Sequence, residues 1–147
     1  MEIVLVGVEQ IEALSALFDQ YRVFYEQSSD LEAARTFLRE RLQNRDSVIL
    51  TACEDGQIVG FTQLYPSFSS VSMKRIWILN DLFVVATHRR KGIARLLMET
   101  AKQYAQETGA VRIVLATKIS NNLAQALYES LGYIKDEEFY HYSLSLL

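Results

Sequence analysis

Asp55-Gly56 stands between two strand-forming runs, Val48 to Cys53 and Gln57 to Tyr65. This dipeptide is the signature of a two-residue turn whose central residues take positive φ. Such a turn joins antiparallel strands only, so an all-helical bundle and a wholly parallel sheet are both excluded. Every other segment has to be placed around that hairpin.

Met1 to Val8 reads as a short strand. Ile11, Leu14, Leu17, Phe18, Tyr21 and Phe24 recur at helical spacing and predict a helix ended by the polar break Gln27-Ser28-Ser29. Asp30 is placed to cap a second helix, running to about Asn44 with Leu31, Ala34, Phe37, Leu38 and Leu42 on its inner face. After the hairpin, Pro66 and serines 67, 69 and 70 predict a loop before a third strand from about Arg75 to Val85. Ile93, Leu96, Leu97, Ala101, Tyr104 and Ala105 predict a long amphipathic helix stopped by Gly109. Arg112 to Ala116 is a short buried strand, Asn121 caps a fourth helix that Gly132 ends, and Phe139 to Leu146 alternates as a last strand. The order is strand, two helices, three strands, helix, strand, helix, strand. It implies an α/β chain with a mixed sheet covered by helices on both faces.

A chain of 147 residues, half of them hydrophobic, buries enough surface to hold one core without a metal or disulfide. No Pro-, Gly- or Ser-rich stretch interrupts it, so residues 1–147 are expected to form a single domain. The net charge of −3 argues against a nucleic-acid-binding module. No stretch is long and apolar enough for a bilayer, and the N-terminus lacks the pattern of a secretory leader, so no membrane partner and a cytoplasmic location are expected. One cysteine, Cys53, and two distant histidines, His88 and His141, make no metal-ligand set, and Cys53 reads as a small buried apolar residue.

The chemistry concentrates in Leu82-Phe83-Val84-Val85-Ala86-Thr87-His88-Arg89-Arg90-Lys91-Gly92-Ile93-Ala94-Arg95. An apolar strand runs through a basic loop into a helix whose first turn holds Gly92 and Ala94. Helix N-terminal N–H groups lack intrahelical partners, and small residues open them to an anion such as a pyrophosphate. The segment is neither a Walker P-loop nor a Gly-x-Gly-x-x-Gly dinucleotide fingerprint.

Arg89-Arg90-Lys91-Gly92-Ile93-Ala94 resembles the Arg/Gln-x-x-Gly-x-Gly/Ala motif of the GNAT superfamily of acetyl-CoA-dependent N-acetyltransferases. A second block, Asn121-Asn122-Leu123-Ala124-Gln125-Ala126-Leu127-Tyr128-Glu129-Ser130-Leu131-Gly132-Tyr133, is similar to the family's Asn-x-x-Ala-x-x-Leu-Tyr-x-x-x-Gly-Phe/Tyr segment. The resemblance covers nearly the whole chain. It implies a mixed, mostly antiparallel, twisted sheet of about seven strands with four helices on both faces, splayed at the central strands. It implies acetyl-CoA as cosubstrate and no metal. Phe83, Val84 and Val85 would line the pantetheine gap, Arg89 to Arg95 would hold the phosphates, and Asn121, Ala124 and Tyr128 would complete the site. A bulge N–H near Val84 is expected to polarise the thioester carbonyl, and Tyr128 to protonate the leaving thiolate.

An alkyl ammonium must lose a proton before it attacks, and Asp81 is the first candidate to take it, with Glu26 and Asp30 behind it. Tyr21, Tyr25, Tyr65 and Trp77 are candidates for an aromatic wall receiving the amine. Neither histidine is assigned as a base. No Cys or Ser stands beside a credible base in the motif region, which favours direct attack over a covalent enzyme intermediate. The acceptor is a primary amine of a small molecule or of a protein. The alternative is a non-catalytic acyl-CoA-binding regulatory module of the same fold. By resemblance, a homodimer is expected.

Overall fold

Asp55 and Gly56 take φ values of 51° and 78°, the turn conformation the dipeptide predicts, and they join the second and third strands of the sheet. The computed structural model describes residues 1–147, which divide into two compact units, Met1–Leu115 and Ala116–Leu147.

The first unit holds strands β1 (Glu2–Leu5), β2 (Val48–Glu54), β3 (Gln57–Ser69), β4 (Lys74–Val84) and β5 (Ile113–Val114) and helices α1 (Ile11–Phe24), α2 (Leu31–Asn44) and α3 (Ile93–Glu107). The strands lie in sequence order across one sheet. The first three pairings are antiparallel and β4–β5 is parallel. Five strands form where about seven were expected.

Adjacent residues of a strand point to opposite faces, and Gly60 and Phe61 identify what covers each. The Phe61 ring lies 5.9 Å from Phe18 of α1. A Cβ on Gly60 would stand 3.5 Å from Ile93 Cγ2 of α3 and 3.0 Å from the Phe83 carbonyl oxygen, so glycine lets β3, β4 and α3 close up here. The α1–α2 side is an apolar cluster of Leu14, Leu17, Phe18, Leu38, Ile49 and Phe83 around Phe61. On the other side α3 buries Ile93, Leu97, Met98, Ala101 and Ala105.

Local signals place the helix ends. Asp30 accepts from the Ala33 N–H at 3.0 Å, and Gly109 stands at φ 76° just after α3, as capping chemistry requires. Pro66 does not break the chain: β3 continues through it to Ser69 with Pro66 opposite Trp77. The β2–β3 ladder ends at Val48↔Leu64, so the missing proline N–H falls where β3 has an open edge and no bond is lost. Cys53, expected buried, is only half-buried.

The second unit holds α4 (Asn122–Ser130). Asn121 caps it, accepting from the Ala124 N–H at 3.1 Å, and Gly132 follows at φ 94°. Residues 139–146, expected as a strand, form none, and β5 is shorter than the predicted 112–116.

Candidate active site

β4 carries one residue more than its partner at one point. Gln63 pairs with Asp81 and Leu64 with Leu79, leaving Asn80 as the extra residue. A bulge shifts the alternation of every residue beyond it. Before it, Trp77 packs toward α3, its ring 5.6 Å from Tyr104. After it, Phe83 packs toward α1, its ring 5.7 Å from Tyr21. An unbroken strand would put all its odd-numbered residues on one face; the bulge turns Asp81 to the α1 side.

There Asp81 is almost fully buried and hydrogen-bonded throughout. Tyr21 donates its hydroxyl to Oδ1 at 2.8 Å, Asn80 donates to the same oxygen at 3.1 Å, and Gln63 Nε2 donates to Oδ2 at 2.8 Å. Gln63 is itself held by Ser47, which donates to Oε1 at 2.9 Å. The Tyr21 hydroxyl is pushed well above the ordinary phenol range, first by burial and then by the Asp81 charge. Tyr65 is raised to about 12 for the same two reasons. Both phenols therefore stay protonated at neutral pH, and Tyr21 remains a donor to Asp81.

The end of β4 leads into a 3-10 turn, Ala86–His88, and then the basic loop. Arg90 at φ 64° and Gly92 at φ 79° both lie in the left-handed region. Gly92 is the N-cap of α3 and has no heavy atom within 4 Å of where a Cβ would stand. The Leu96 N–H bonds to the Gly92 carbonyl at 3.0 Å, which leaves the N–H groups of Ile93 and Ala94 ahead of the first helical bond. Arg89 is committed differently: its Nε donates to the Val84 carbonyl at 2.9 Å, and its guanidinium lies 5.3 Å from the Phe24 ring centre and 5.6 Å from that of Phe83. It ties the loop to β4, while Arg90 and Lys91 stand exposed. His88 is held by Glu54 at 2.9 Å.

β4 and β5 pair only at Trp77↔Ile113 and Ile78↔Val114, so from Leu79 to Val84 the β5-side edge of β4 is open. The Val85 N–H bonds to the Val59 carbonyl at 2.9 Å. By alternation the Val84 N–H faces the open edge.

A family model for the acetyltransferase (GNAT) family matches residues 11–133. The chain belongs to the GNAT family. It is 54% identical over 134 residues to the uncharacterized N-acetyltransferase YhfO of Bacillus subtilis, covering 91% of this chain and 90% of that one. It is 30% identical to a probable acetyltransferase of Haemophilus influenzae, covering 92% of each. A crystal structure of a probable acetyltransferase matches with a TM-score of 0.96 at 46% identity, covering 100% of this chain and 99% of that one. The protein is an acyltransferase enzyme of this family.

Within this GNAT chain, Asp81, Tyr21, Tyr25 and Tyr65 gather on the α1 side: the Tyr25 ring is 5.1 Å from that of Tyr21, and Tyr65 feels the Asp81 charge. Trp77 does not join them. It is buried against α3, with its Nε1 donating to Thr108 at 2.9 Å, and the bulge is the reason. The bulge itself lies at Asn80 rather than near Val84. Glu26 is exposed in a left-handed conformation just beyond α1, and Asp30 is occupied as a helix cap. Gln63 and Ser47 were missed. The only trace of Gln63 in the sequence is a polar side chain amid the run Phe61 to Leu64, and Ser47 leaves none.

In the second unit the Asn121 side-chain oxygen is taken up by its cap. Ala124 and Tyr128 are half-buried, and the Tyr128 ring lies 6.1 Å from that of Tyr133.

Proposed function

We propose that this enzyme transfers the acetyl group of acetyl-CoA directly to a primary amine of a small molecule or of a protein lysine or N-terminus. The observation that carries the reading is the left-handed, unobstructed Gly92 at the N-terminus of α3, beside a β4 edge left open from Leu79 to Val84. The N–H groups of Ile93 and Ala94, the helix dipole and the exposed Arg90 and Lys91 fit a pyrophosphate. Phe83, Val84 and Val85 border the opening that fits an extended pantetheine arm, which would bond to backbone as an added strand does. Acetyl-CoA, when bound, supplies an acetyl thioester.

The residues of this chain then have separate tasks. The Val84 N–H offers a donor for the charge that develops on a carbonyl oxygen. Asp81 attracts an ammonium group to the α1 side, where Tyr21 and Tyr25 present aromatic faces. Tyr21 passes the proton on: its oxygen accepts from the ammonium as its own hydroxyl proton moves to Asp81 Oδ1, 2.8 Å away. The phenol never ionises, consistent with a pKa raised by burial. Tyr128 holds the proton for the departing sulfur.

Two measurements test this. Isothermal calorimetry should detect CoA binding, and a panel of polyamines, amino acids, aminoglycosides and lysine peptides should include an acceptor that drives thiol release. Absence of CoA binding overturns the reading, and tight binding without turnover on any amine would make the protein a non-catalytic acyl-CoA module.

A further inference from the structure

Gln63 and Ser47 have no part in the acetyl transfer proposed above, yet both are buried, Gln63 completely. Gln63 and Asp81 pair across β3 and β4 at the rung beside the bulge, so their side chains stand on one face of the sheet. Asp81 is held there at two points: Thr62 donates its hydroxyl to the Asp81 backbone carbonyl at 2.8 Å, and Gln63 Nε2 donates to Oδ2 at 2.8 Å. Tyr21 and Asn80 both donate to Oδ1. The two carboxylate oxygens are therefore not equivalent: Oδ1 meets the phenol, and Oδ2 meets the amide of Gln63. An ionised carboxylate only accepts, so Gln63 has to turn its amide nitrogen toward Asp81. Its Oε1 is then left for Ser47, whose hydroxyl donates to it at 2.9 Å. With the amide turned over, Oε1 would face Oδ2, which is favourable only when Oδ2 carries a proton. Ser47 opposes that state, because its hydroxyl hydrogen would then face an NH2 group and lose its acceptor.

We propose that Gln63, clamped by Ser47, is a positioning residue for proton transfer: it closes Oδ2, so that Asp81 takes the acceptor's proton only at Oδ1 and returns it only through Tyr21. The inference rests on the function proposed above and deepens it. The Tyr21 oxygen takes a proton from the ammonium nitrogen, the Tyr21 O–H bond breaks and an Oδ1–H bond forms on Asp81. The neutral amine then attacks the thioester. The C–N bond forms as the C–S bond breaks, and the proton that nitrogen sheds balances the one the sulfur gains. A proton on Oδ2 would point at the Gln63 N–H and find no acceptor, so that oxygen stays bare. Once product has left, the Oδ1 proton returns to Tyr21, which is half-buried, as the Tyr21 proton passes to water. Without Gln63 the carboxyl can keep a proton on its inner oxygen, away from Tyr21, and a molecule in that state is idle.

Thiol release is followed for wild type, Gln63→Leu, Ser47→Ala and Asp81→Asn, each checked for folding by circular dichroism. Two amines are compared: the acceptor found in the amine panel and its analogue fluorinated beside the amine carbon. The fluorinated amine is largely neutral at pH 7.5 and arrives without the proton that Asp81 would remove. With the ordinary amine, Gln63→Leu should lower kcat roughly 10²-fold, the scale of a misplaced catalytic group, with KM little changed because the Asp81 charge that draws the ammonium is still there. With the fluorinated amine that loss should largely vanish. Ser47→Ala should show the same pattern at smaller size, and it decides the matter if Gln63→Leu does not fold. An equal loss with both amines, or a rise in KM alone, overturns the proposal, since damage to the fold does not depend on amine basicity. Asp81→Asn separates the two levels. If its loss is the same with both amines, the proton-accepting role of Asp81 fails and that of Gln63 with it. If Asp81→Asn shows the dependence on basicity and the Gln63 and Ser47 variants do not, only the role of Gln63 is overturned. A panel that contains no acceptor overturns both.

Discussion

Replacing Gln63 by Leu tests the buried network at its centre. Gln63 is fully buried and makes two hydrogen bonds, donating to Asp81 Oδ2 at 2.8 Å and accepting from Ser47 at 2.9 Å. Leucine fills a similar volume, so packing is nearly retained and the loss is polar. The bond to a carboxylate contributes about 1.5–3 kcal/mol and the bond from a hydroxyl about 0.5–1.5 kcal/mol. Stranding the carboxylate oxygen and the Ser47 hydroxyl pushes toward the upper end, so the loss should be about 3–4 kcal/mol, a large share of the 5–15 kcal/mol typical of a native protein. For a chain of this length that corresponds to a fall in Tm of roughly 6–15 °C. Urea unfolding followed by circular dichroism at pH 7.5 and fixed protein concentration measures it, with an unchanged slope confirming that native compactness is kept. A loss below about 1 kcal/mol would refute the reasoning, because it would mean that water reaches Asp81 and the network is not sealed.

Gly92→Glu should abolish CoA binding by calorimetry, since it sets a carboxylate where the phosphates approach; the open space at Gly92 lets the variant fold at a cost of about 1 kcal/mol for a side chain at positive φ. Tyr128→Phe should lower kcat by roughly 10²–10⁴ with CoA affinity unchanged, read by steady-state thiol release beside calorimetric titration. Alkali should destabilise the fold in a defined window: Tyr65 ionises near 10 when unfolded and near 12 when folded, and Tyr21 is raised as well. Their contribution is complete below pH 10 and is lost as the pH rises toward 12 and beyond, because the unfolded chain releases those protons first. Tyr65→Phe should shallow that decline in urea titrations between pH 9.5 and 11.5; an unchanged slope would separate Tyr65 from it.

What could be read directly were features decided within a few residues. The Asp55-Gly56 turn, the Asp30 and Asn121 caps, the Gly109 and Gly132 stops and the open α3 N-terminus behind Arg90 and Lys91 each depend on local φ, ψ and short-range bonds, so residue type and spacing suffice to place them. The same is true of the two blocks that carry the family resemblance.

Which side chains meet across the sheet depends on pairing between distant segments, and one extra residue changes it. The bulge at Asn80 turned Asp81 and Phe83 toward α1 while Trp77 stayed with α3, so a reading that grouped Trp77 with Tyr21 failed although each was correctly placed on its element. Gln63 and Ser47 became part of the site only because that register brought them to Asp81. The same physics limits Phe139 to Leu146: alternation shows that these residues can be a strand, but a strand's bonds belong to its neighbour. Local chemistry is therefore legible in the chain by itself, and the register and partners of its strands are settled only by tertiary structure, because cross-strand contacts join residues whose separation in sequence carries no local signal.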